Sequence, residues 1–322
     1  MLEKLKSLSP FIGNTPLKDL FHEEAHLYAK LEYTNFSGSS KDRAAYHMLY
    51  QGIQRGEITQ ETIVVASSSG NFAIAAATIC KILQIKFIPV IDPNINPNYE
   101  GLLHLLAHKV VKVNKLDKTG GYLLTRIQVV QDICSTYEHS FCADQYQDPN
   151  NYQGYFNMGH EIISSFDQLH YIFVAVSSGG AITGISTSIK PYLPKVKIIG
   201  VDVEGSTIFG HPPKKRFISG IGASQASPLL EKAIIDDVVH VSHMDIIKGC
   251  FQLLNEQAIF AGASSGAVYA AAKKYVKEHR GFLEKPTALL IFPDKGNAYL
   301  DTIYNEEWQK ELALKLEAPL VV

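Results

Sequence analysis

The sequence predicts an α/β protein made of two doubly wound domains, each with a parallel or mixed sheet. Three observations support this class. Short apolar runs alternate with helical stretches from residue 60 onward, small polar residues follow several of these runs, and the 322-residue chain is long enough for about two domains. The alternation indicates parallel strands joined by crossover helices.

The first series of elements extends to residue 142. An extended apolar segment over 26–33 leads through a polar turn into an amphipathic helix over about 42–52. Further strands are predicted at 62–66, 86–91, 110–113 and 140–142, and helices at 71–83, 99–108 and 121–137. Residues 144–151 are polar and turn-rich, which predicts a crossing between domains there.

The second series follows this crossing. Strands are predicted at 171–176, 196–203 and 288–292, and helices at 182–190, 245–257 and 265–279. Between them, residues 205–229 are rich in Gly, Pro and Ser and show little periodicity. A loop of this length in a compact domain usually has a functional role.

The composition argues against several kinds of partner. A formal net charge of −2 with 19% charged residues gives no basic excess that would favour nucleic acid or an anionic membrane. The apolar runs are too short to span a bilayer, and the N-terminus has no apolar signal core. Four cysteines in mostly apolar contexts form no CxxC pair, so we expect reduced, buried thiols in a cytoplasmic protein.

The polar turn before the first long helix places Lys41 at a helix start. Free backbone N–H groups and the positive end of the helix dipole disfavour a second cation there. A lysine in such a position is kept partly uncharged and nucleophilic, as a lysine that forms a Schiff base must be. Taken alone, the pattern is more typical of a solvated lysine beside a capping turn.

Three further loops of small residues follow strands or open helices. Residues 67–71 (Ser-Ser-Ser-Gly-Asn) offer hydroxyls and N–H groups that suit a carboxylate, beyond the single serine that simple helix capping needs. Residues 177–184 (Ser-Ser-Gly-Gly-Ala-Ile-Thr-Gly) suit a phosphate, although they lack the lysine of a P-loop. Residues 262–267 lead into an alanine-rich helix, where tight helix packing is the alternative explanation.

A nucleophilic lysine, a phosphate loop and a carboxylate loop together predict pyridoxal 5'-phosphate acting on an amino acid. The ordered motifs also resemble the cysteine synthase family, the fold-type II pyridoxal-phosphate enzymes with a fold like the tryptophan synthase β-subunit. The resemblance covers nearly the whole chain. It is carried by Ile12-Gly13-Asn14-Thr15-Pro16-Leu17, the lysine turn, Ser69-Gly70-Asn71, Gly179-Gly180, Gly220-Ile221-Gly222, Ser264-Ser265-Gly266 and Pro293-Asp294-Lys295-Gly296.

This resemblance implies a role for each matching residue. Lys41 would carry the cofactor and move the α-proton, Asn71 would bind its phenolic oxygen, and Ser264 would meet its pyridine nitrogen. A serine leaves that nitrogen largely unprotonated, which favours β-elimination and β-replacement over transamination. The phosphate would be held by Ser177, Ser178, Gly179, Gly180 and Ala181, and the substrate carboxylate by Ser68, Ser69 and Gln145. No metal site is expected.

The resemblance also implies the domain arrangement and the assembly. Residues 1–43 with 149–322 would form a large cofactor-binding domain. Residues 44–148 would form a small, mobile domain that closes over small amino-acid substrates, and the enzyme would be a homodimer. Departures such as Phe36 after Asn35, and Phe72-Ala73 after Asn71, put the usual O-acetylserine and sulfide chemistry in doubt.

Four further motifs resemble the siderophore-pathway branch of this family, the N-(2-amino-2-carboxyethyl)-L-glutamate synthases. That branch joins O-phospho-L-serine to L-glutamate on the way to 2,3-diaminopropionate; cysteine synthase itself is the alternative. A cation is then expected for a glutamate carboxylate, and Arg126 is the first candidate, unless it is a surface arginine paired to a nearby acid. The motifs are 120–127, 205–210, 220–224 and Tyr299-Leu300-Asp301…Tyr304…Trp308.

Two alternative functions from other protein classes are possible for this sequence. His22-Glu23-Glu24-Ala25-His26 matches the H-E-x-x-H pattern of zinc hydrolases, but that pattern needs a helix and here leads into a predicted strand. We interpret it as a chance match. A non-catalytic binding module with the same fold is disfavoured because Lys41, Asn71 and Ser264 are all intact.

Overall fold

The computed structural model describes residues 1–118, 120–279 and 285–317. The strands are β1 Leu17–Leu20, β2 His26–Leu31, β3 Ile63–Ser67, β4 Lys86–Ile91, β5 Val111–Lys112, β6 Ser140–Cys142, β7 Tyr171–Ala175, β8 Lys197–Val203, β9 Asp237–Val241 and β10 Thr287–Phe292. The helices are α1 Leu2–Lys6, α2 Lys41–Gln54, α3 Asn71–Leu83, α4 Pro97–Leu106, α5 Leu123–Thr136, α6 Asn150–Gln153, α7 Phe156–Ile163, α8 Gly180–Ile189, α9 His243–Gln257, α10 Ala263–Glu278 and α11 Glu306–Glu317.

These strands form two sheets, which confirms the predicted α/β class. The first has the order β1-β2-β10-β7-β8-β9 and is parallel except where β1 pairs with β2. The second has the order β5-β4-β3-β6 and is parallel throughout. Parallel neighbours cannot be joined by a tight turn, so crossover connections link them. For example, α3 lies between β3 and β4, and α8 lies between β7 and β8.

The apolar core extends across both sheets. β3 is buried over its whole length because helices cover both of its faces. Val64 faces a large cluster that also contains Ala44, Phe72 and Ile172, whereas the next residue, Val65, faces a smaller cluster against α5. The alternation of side chains along the strand explains this division. One continuous cluster therefore extends from the four-stranded sheet to the six-stranded sheet through the helices that lie on them.

Every strand and helix predicted above is present, with bounds within two residues of the prediction. The predictions omitted β1, β9, α1, α6, α7 and α11. β9 is an edge strand whose residues are mostly half-exposed, so it lacks the continuous apolar run that marked the central strands. α6 and α7 follow the polar 144–151 segment, which obscured their start.

The expectation of four buried thiols is wrong for two of them. Cys80 and Cys250 are buried in helices, but Cys134 is half-buried and Cys142 is exposed. Cys142 ends β6, an edge strand, and its thiol remains exposed although it interacts with Cys134 of α5. In the described ranges, no helix is both long and apolar enough to cross a bilayer.

Candidate active site

The turn that carries Lys41 is organised by the carboxylate of the next residue, Asp42. This fully buried carboxylate accepts hydrogen bonds from the Ser37 backbone N–H at 3.2 Å, the Ser37 hydroxyl at 2.8 Å and the Ser39 N–H at 3.4 Å. Burial raises the pKa of Asp42 to about 6, although the bonds from Ser37 and Ser39 oppose that rise. Lys41 is thereby held at the first position of α2, and its Nζ lies 6.0 Å from the ring centre of Tyr155.

Behind this turn lies a buried charge network of Lys30, Glu32, Arg43 and Glu161. Arg43 binds Glu32 through Nε at 2.7 Å and Glu161 through Nη1 at 2.7 Å, and Lys30 Nζ lies 2.7 Å from Glu161. Burial tends to raise the pKa of Glu161, but hydrogen bonds and charge from Arg43, with Lys30, lower it to about 2. The network anchors the start of α2 to β2 and α7. The sequence reasoning did not anticipate it.

In the loop after β3, Ser68 caps a helix and Ser69 contacts other side chains. The Ser68 hydroxyl accepts from the N–H groups of Gly70 and Ala73, both at 3.3 Å, and so caps the start of α3. The Ser69 hydroxyl instead donates to Asp92 Oδ2 at 2.9 Å. Ser69 and Asp92 both lie at carboxyl ends of neighbouring strands, where α/β proteins bind ligands.

Arg126 meets the same serine. Its Nη1 donates to the Ser69 hydroxyl at 3.1 Å, and its Nε lies 3.2 Å from Asp92 Oδ2. Arg126 is only 9% exposed, so it is not a surface residue, although it is paired with an acid as the alternative interpretation had it. Asp92 was missed. It directly follows a buried strand and precedes a proline, a signal that could have found it.

Gln145 connects the substrate loop to the phosphate loop. Its Nε2 donates to the Ser67 backbone carbonyl at 2.9 Å, and the Gln145 backbone carbonyl accepts from the Asn151 side-chain amide. A Cβ placed on Gly180 would lie 2.2 Å from Asn151 Oδ1, so position 180 has no room for a side chain. The predicted residues Ser68, Ser69 and Gln145 thus belong to one connected set of loops.

The phosphate loop runs from the end of β7 into α8. The Ser177 hydroxyl donates to the Gly222 carbonyl at 3.2 Å, and the half-buried Ala181 lies in the first turn of α8. Gly179 has φ of 82°, a left-handed conformation that favours glycine, and Ser178 is buried beside it. The first N–H groups of α8 have no partner within the helix, so they are available to an anion.

The remaining two predicted cofactor residues are Asn71 and Ser264, which lie close to Asp294 and Tyr299. Asn71 Nδ2 donates to Asp294 at 2.8 Å, and the Tyr299 hydroxyl donates to the same carboxylate at 3.3 Å. Ser264 donates to the Gly220 carbonyl at 3.2 Å, and a Cβ on Gly220 would lie 2.6 Å from the Tyr299 hydroxyl. Asp294 and Tyr299 lie in or near quoted family motifs but were assigned no role.

The donor set fits pyridoxal 5'-phosphate. A lysine amine and an asparagine amide converge near one buried carboxylate, a serine hydroxyl lies beside Gly220, and a glycine-lined helix start offers N–H groups to a phosphate. The residues that could hold the cofactor are Lys41, Asn71, Ser177, Ser178, Gly179, Gly180, Ala181 and Ser264. The fold and this set of donors define a fold-type II pyridoxal-phosphate enzyme.

The zinc-hydrolase pattern finds no support. Residues 22–25 form no helix, and His26 begins β2, so the two histidines do not share a helical face. Throughout the described part of the chain, no group of three or more His, Cys, Asp or Glu side chains is placed to hold a metal ion.

Comparison with known proteins supports the same assignment. Residues 8–294 match the family described as pyridoxal-phosphate dependent enzyme. An O-acetylserine dependent cystathionine β-synthase from Helicobacter pylori superposes with a TM-score of 0.85 at 27% identity, covering 92% of this chain and 98% of that one. O-ureido-L-serine synthase superposes with a TM-score of 0.85 at 23% identity, covering 95% and 98%, a likeness of fold alone.

A third structure contains a reaction intermediate. A variant of the hydrogen sulfide-producing enzyme Fn1055, in complex with an α-aminoacrylate intermediate, superposes with a TM-score of 0.85 at 26% identity and covers 94% of this chain and 93% of that one. The chain belongs to the family of pyridoxal-phosphate dependent enzymes. The predictions of a fold-type II fold, of pyridoxal 5'-phosphate and of a β-replacement enzyme of the cysteine synthase family are confirmed.

Proposed function

We propose that this enzyme joins O-phospho-L-serine to L-glutamate, giving N-(2-amino-2-carboxyethyl)-L-glutamate and phosphate, the first step toward L-2,3-diaminopropionate for siderophore synthesis. The observation that carries the proposal is the buried guanidinium of Arg126 against Ser69. A second substrate with its own carboxylates needs a cation beside the loop that receives the first substrate, and sulfide does not.

Arg126 has donors to spare for such a carboxylate. A guanidinium carries five N–H groups, of which Asp92 and Ser69 engage only part. Planar recognition by a guanidinium is directional, so Arg126 would orient the glutamate as well as attract it.

The residues then divide the reaction between them. Pyridoxal 5'-phosphate, when bound, withdraws electrons from the α-carbon of the amino acid and makes its proton acidic. Lys41 removes that proton and later returns it, while Ser68, Ser69 and Gln145 hold the α-carboxylate. The Cβ–O bond to phosphate breaks, the glutamate nitrogen forms the new bond to Cβ, and that nitrogen loses one proton.

The domain arrangement serves the same chemistry. The proposed small domain, residues 44–148, carries Ser69, Asp92 and Arg126, whereas Lys41 belongs to the proposed large domain. Closure of the small domain would bring the carboxylate site to the lysine and exclude water from the reacting carbon. The family resemblance also supports a homodimer, which sedimentation velocity of the purified enzyme tests directly.

The deciding experiment compares nucleophiles. Purified enzyme with pyridoxal 5'-phosphate and O-phosphoserine is given L-glutamate or sulfide, and the products are weighed by mass spectrometry while phosphate release is measured. We expect the glutamate adduct, and no product from Lys41→Ala. Cysteine from sulfide with no glutamate adduct would instead establish the cysteine synthase alternative.

The role of Arg126 has its own test. Arg126→Gln should raise KM for glutamate about ten-fold or more, with a smaller effect on O-phosphoserine, because a charged hydrogen bond is lost. Arg55→Gln is a matched control, since Arg55 is an exposed arginine paired with Glu57 at 2.9 Å. Equal effects of Arg126→Gln on KM for both substrates would contradict a specific role in binding glutamate.

A further inference from the structure

We propose that Asp294 is a positioning residue: together with Tyr99 it fixes the side-chain amide of Asn71 in one orientation, so that one amide N–H remains directed to the cofactor. The inference deepens the proposed role of Asn71 at the phenolic oxygen and rests on it. Neither Asp294 nor Tyr99 was assigned a role by the sequence reasoning.

Asp294 is itself fixed by the lysine turn. It lies two residues after the end of β10, and its backbone forms an antiparallel bridge with Ser39. The Ser40 N–H donates to the Pro293 carbonyl at 2.9 Å. Its side chain is 3% exposed. A Cβ on Gly262 would lie 2.1 Å from Asp294 Oδ1, so the carboxylate packs directly against the glycine backbone. The carboxylate has little freedom to move.

Two hydrogen bonds of opposite sense hold the amide. The Tyr99 hydroxyl donates to Asn71 Oδ1 at 2.7 Å, and Asn71 Nδ2 donates to Asp294 Oδ2 at 2.8 Å. An ionised carboxylate can only accept, so a flipped amide would place its oxygen against Asp294 and lose that bond. The Tyr99 hydroxyl can donate or accept, so Asp294 is the partner that decides the orientation. Since the amide nitrogen carries two hydrogens and Asp294 takes one, the other remains for a ligand oxygen.

The charge of Asp294 is supported from the other side. The Tyr299 hydroxyl donates to the same oxygen at 3.3 Å. Burial raises the pKa of Asp294, whereas the bonds from Asn71 and Tyr299 and the positive charge of Lys41 oppose this rise. The same carboxylate therefore contacts the amide and feels the charge of the lysine that the cofactor requires. Asn71 follows the four-stranded sheet and Asp294 the six-stranded sheet, so the pair also joins the two.

The test measures pyridoxal 5'-phosphate binding to the apo-protein by absorbance and fluorescence titration. Asp294→Ala should weaken binding about ten-fold, the effect of losing one charged hydrogen bond, and shift the visible absorption band of the bound cofactor. In an Asn71→Ala background the same substitution should weaken binding less than two-fold, because its partner is already gone. Asp132→Ala removes an exposed carboxylate on α5 that accepts from Gln128 at 2.9 Å. It is the matched control and should change affinity less than two-fold.

Two results would overturn the proposal: an equal loss of affinity from Asp294→Ala with and without Asn71, or no loss at all. If Asp294→Ala does not fold, Asp294→Leu removes the acceptor without leaving a cavity and answers the same question, with apo-protein thermal melting as the check on folding. The titration needs no amino-acid substrate, so its outcome is independent of whether glutamate or sulfide is the nucleophile.

Discussion

Glu161 is the most informative place to perturb the charge network behind the lysine turn. Its carboxylate receives two hydrogen bonds from Arg43, at 2.7 and 2.9 Å, and lies 2.7 Å from Lys30 Nζ. Two cations and two anions balance in the network. Glu161→Gln keeps the shape of the side chain but leaves Arg43 and Lys30 facing Glu32 alone, with an excess buried positive charge.

The loss of stability on Glu161→Gln follows from two independent quantities. Removing one partner from a buried ion pair costs about 3–5 kcal/mol. Independently, the pKa of Glu161 falls from 4.5 to about 2 on folding, and at 1.36 kcal/mol per unit this shift corresponds to about 3 kcal/mol at neutral pH. The side chain is 13% exposed, so solvent screens the interaction little. We expect the free energy of unfolding to fall by about 3 kcal/mol at pH 7.

The sign of the pH dependence provides a second check. A depressed folded-state pKa stabilises the protein above the unfolded value of 4.5, and this contribution is lost as pH falls through about 2. The difference between wild type and Glu161→Gln should therefore shrink from about 3 kcal/mol at pH 7 to about 2 kcal/mol at pH 3.5.

Urea titrations followed by circular dichroism at both pH values measure this difference. Glu57→Gln is the matched control, because its pair with Arg55 is exposed on both sides and should be worth less than about 1 kcal/mol. If Glu161→Gln costs no more than Glu57→Gln, or if its cost does not change with pH, the charge of Glu161 does not stabilise the start of α2 and the reasoning fails.

The other predictions concern packing and thiol exposure. Gly184→Ala should destabilise the protein by about 1–3 kcal/mol in thermal melts, because its Cβ would lie 2.1 Å from the Tyr152 carbonyl; Gly101→Ala, in a helix with nothing within 4 Å, should be neutral or stabilising by up to about 1 kcal/mol. Equal melting temperatures for the two variants would contradict this packing. A maleimide should label the Cys134–Cys142 pair in the folded protein, because the Cys142 thiol lowers the pKa of Cys134 to about 7. Cys250 should stay unreacted until unfolding, because burial raises its pKa to about 12. Mass spectrometry of the labelled peptides tests this, and labelling of Cys250 before the pair would contradict it.

Local pattern was sufficient to predict most of the fold. The central strands carry continuous apolar runs because both faces of their sheets are covered, and the loops at their carboxyl ends carry the small polar residues of the candidate site. Local pattern did not predict which distant side chains pair with one another. Arg43 and Glu161 are 118 residues apart, and Asn71 and Asp294 are 223 apart. The sequence shows that a charged residue interrupts an apolar segment, but it does not show which distant charged residue pairs with it.

The lysine turn shows why such partners are needed. Lys41, Asp42 and Arg43 are consecutive, and successive helix residues point about 100° apart, so they face three different surroundings. The amine of Lys41 lies over the ring of Tyr155, Asp42 folds back onto Ser37, and Arg43 enters the buried network. Burying two charged residues beside a third is unfavourable, as the raised pKa of Asp42 shows. Such a stretch buries charged residues, which is normally unfavourable, and gives each charge its own partners. We expect this where a reactive side chain must be held in one place.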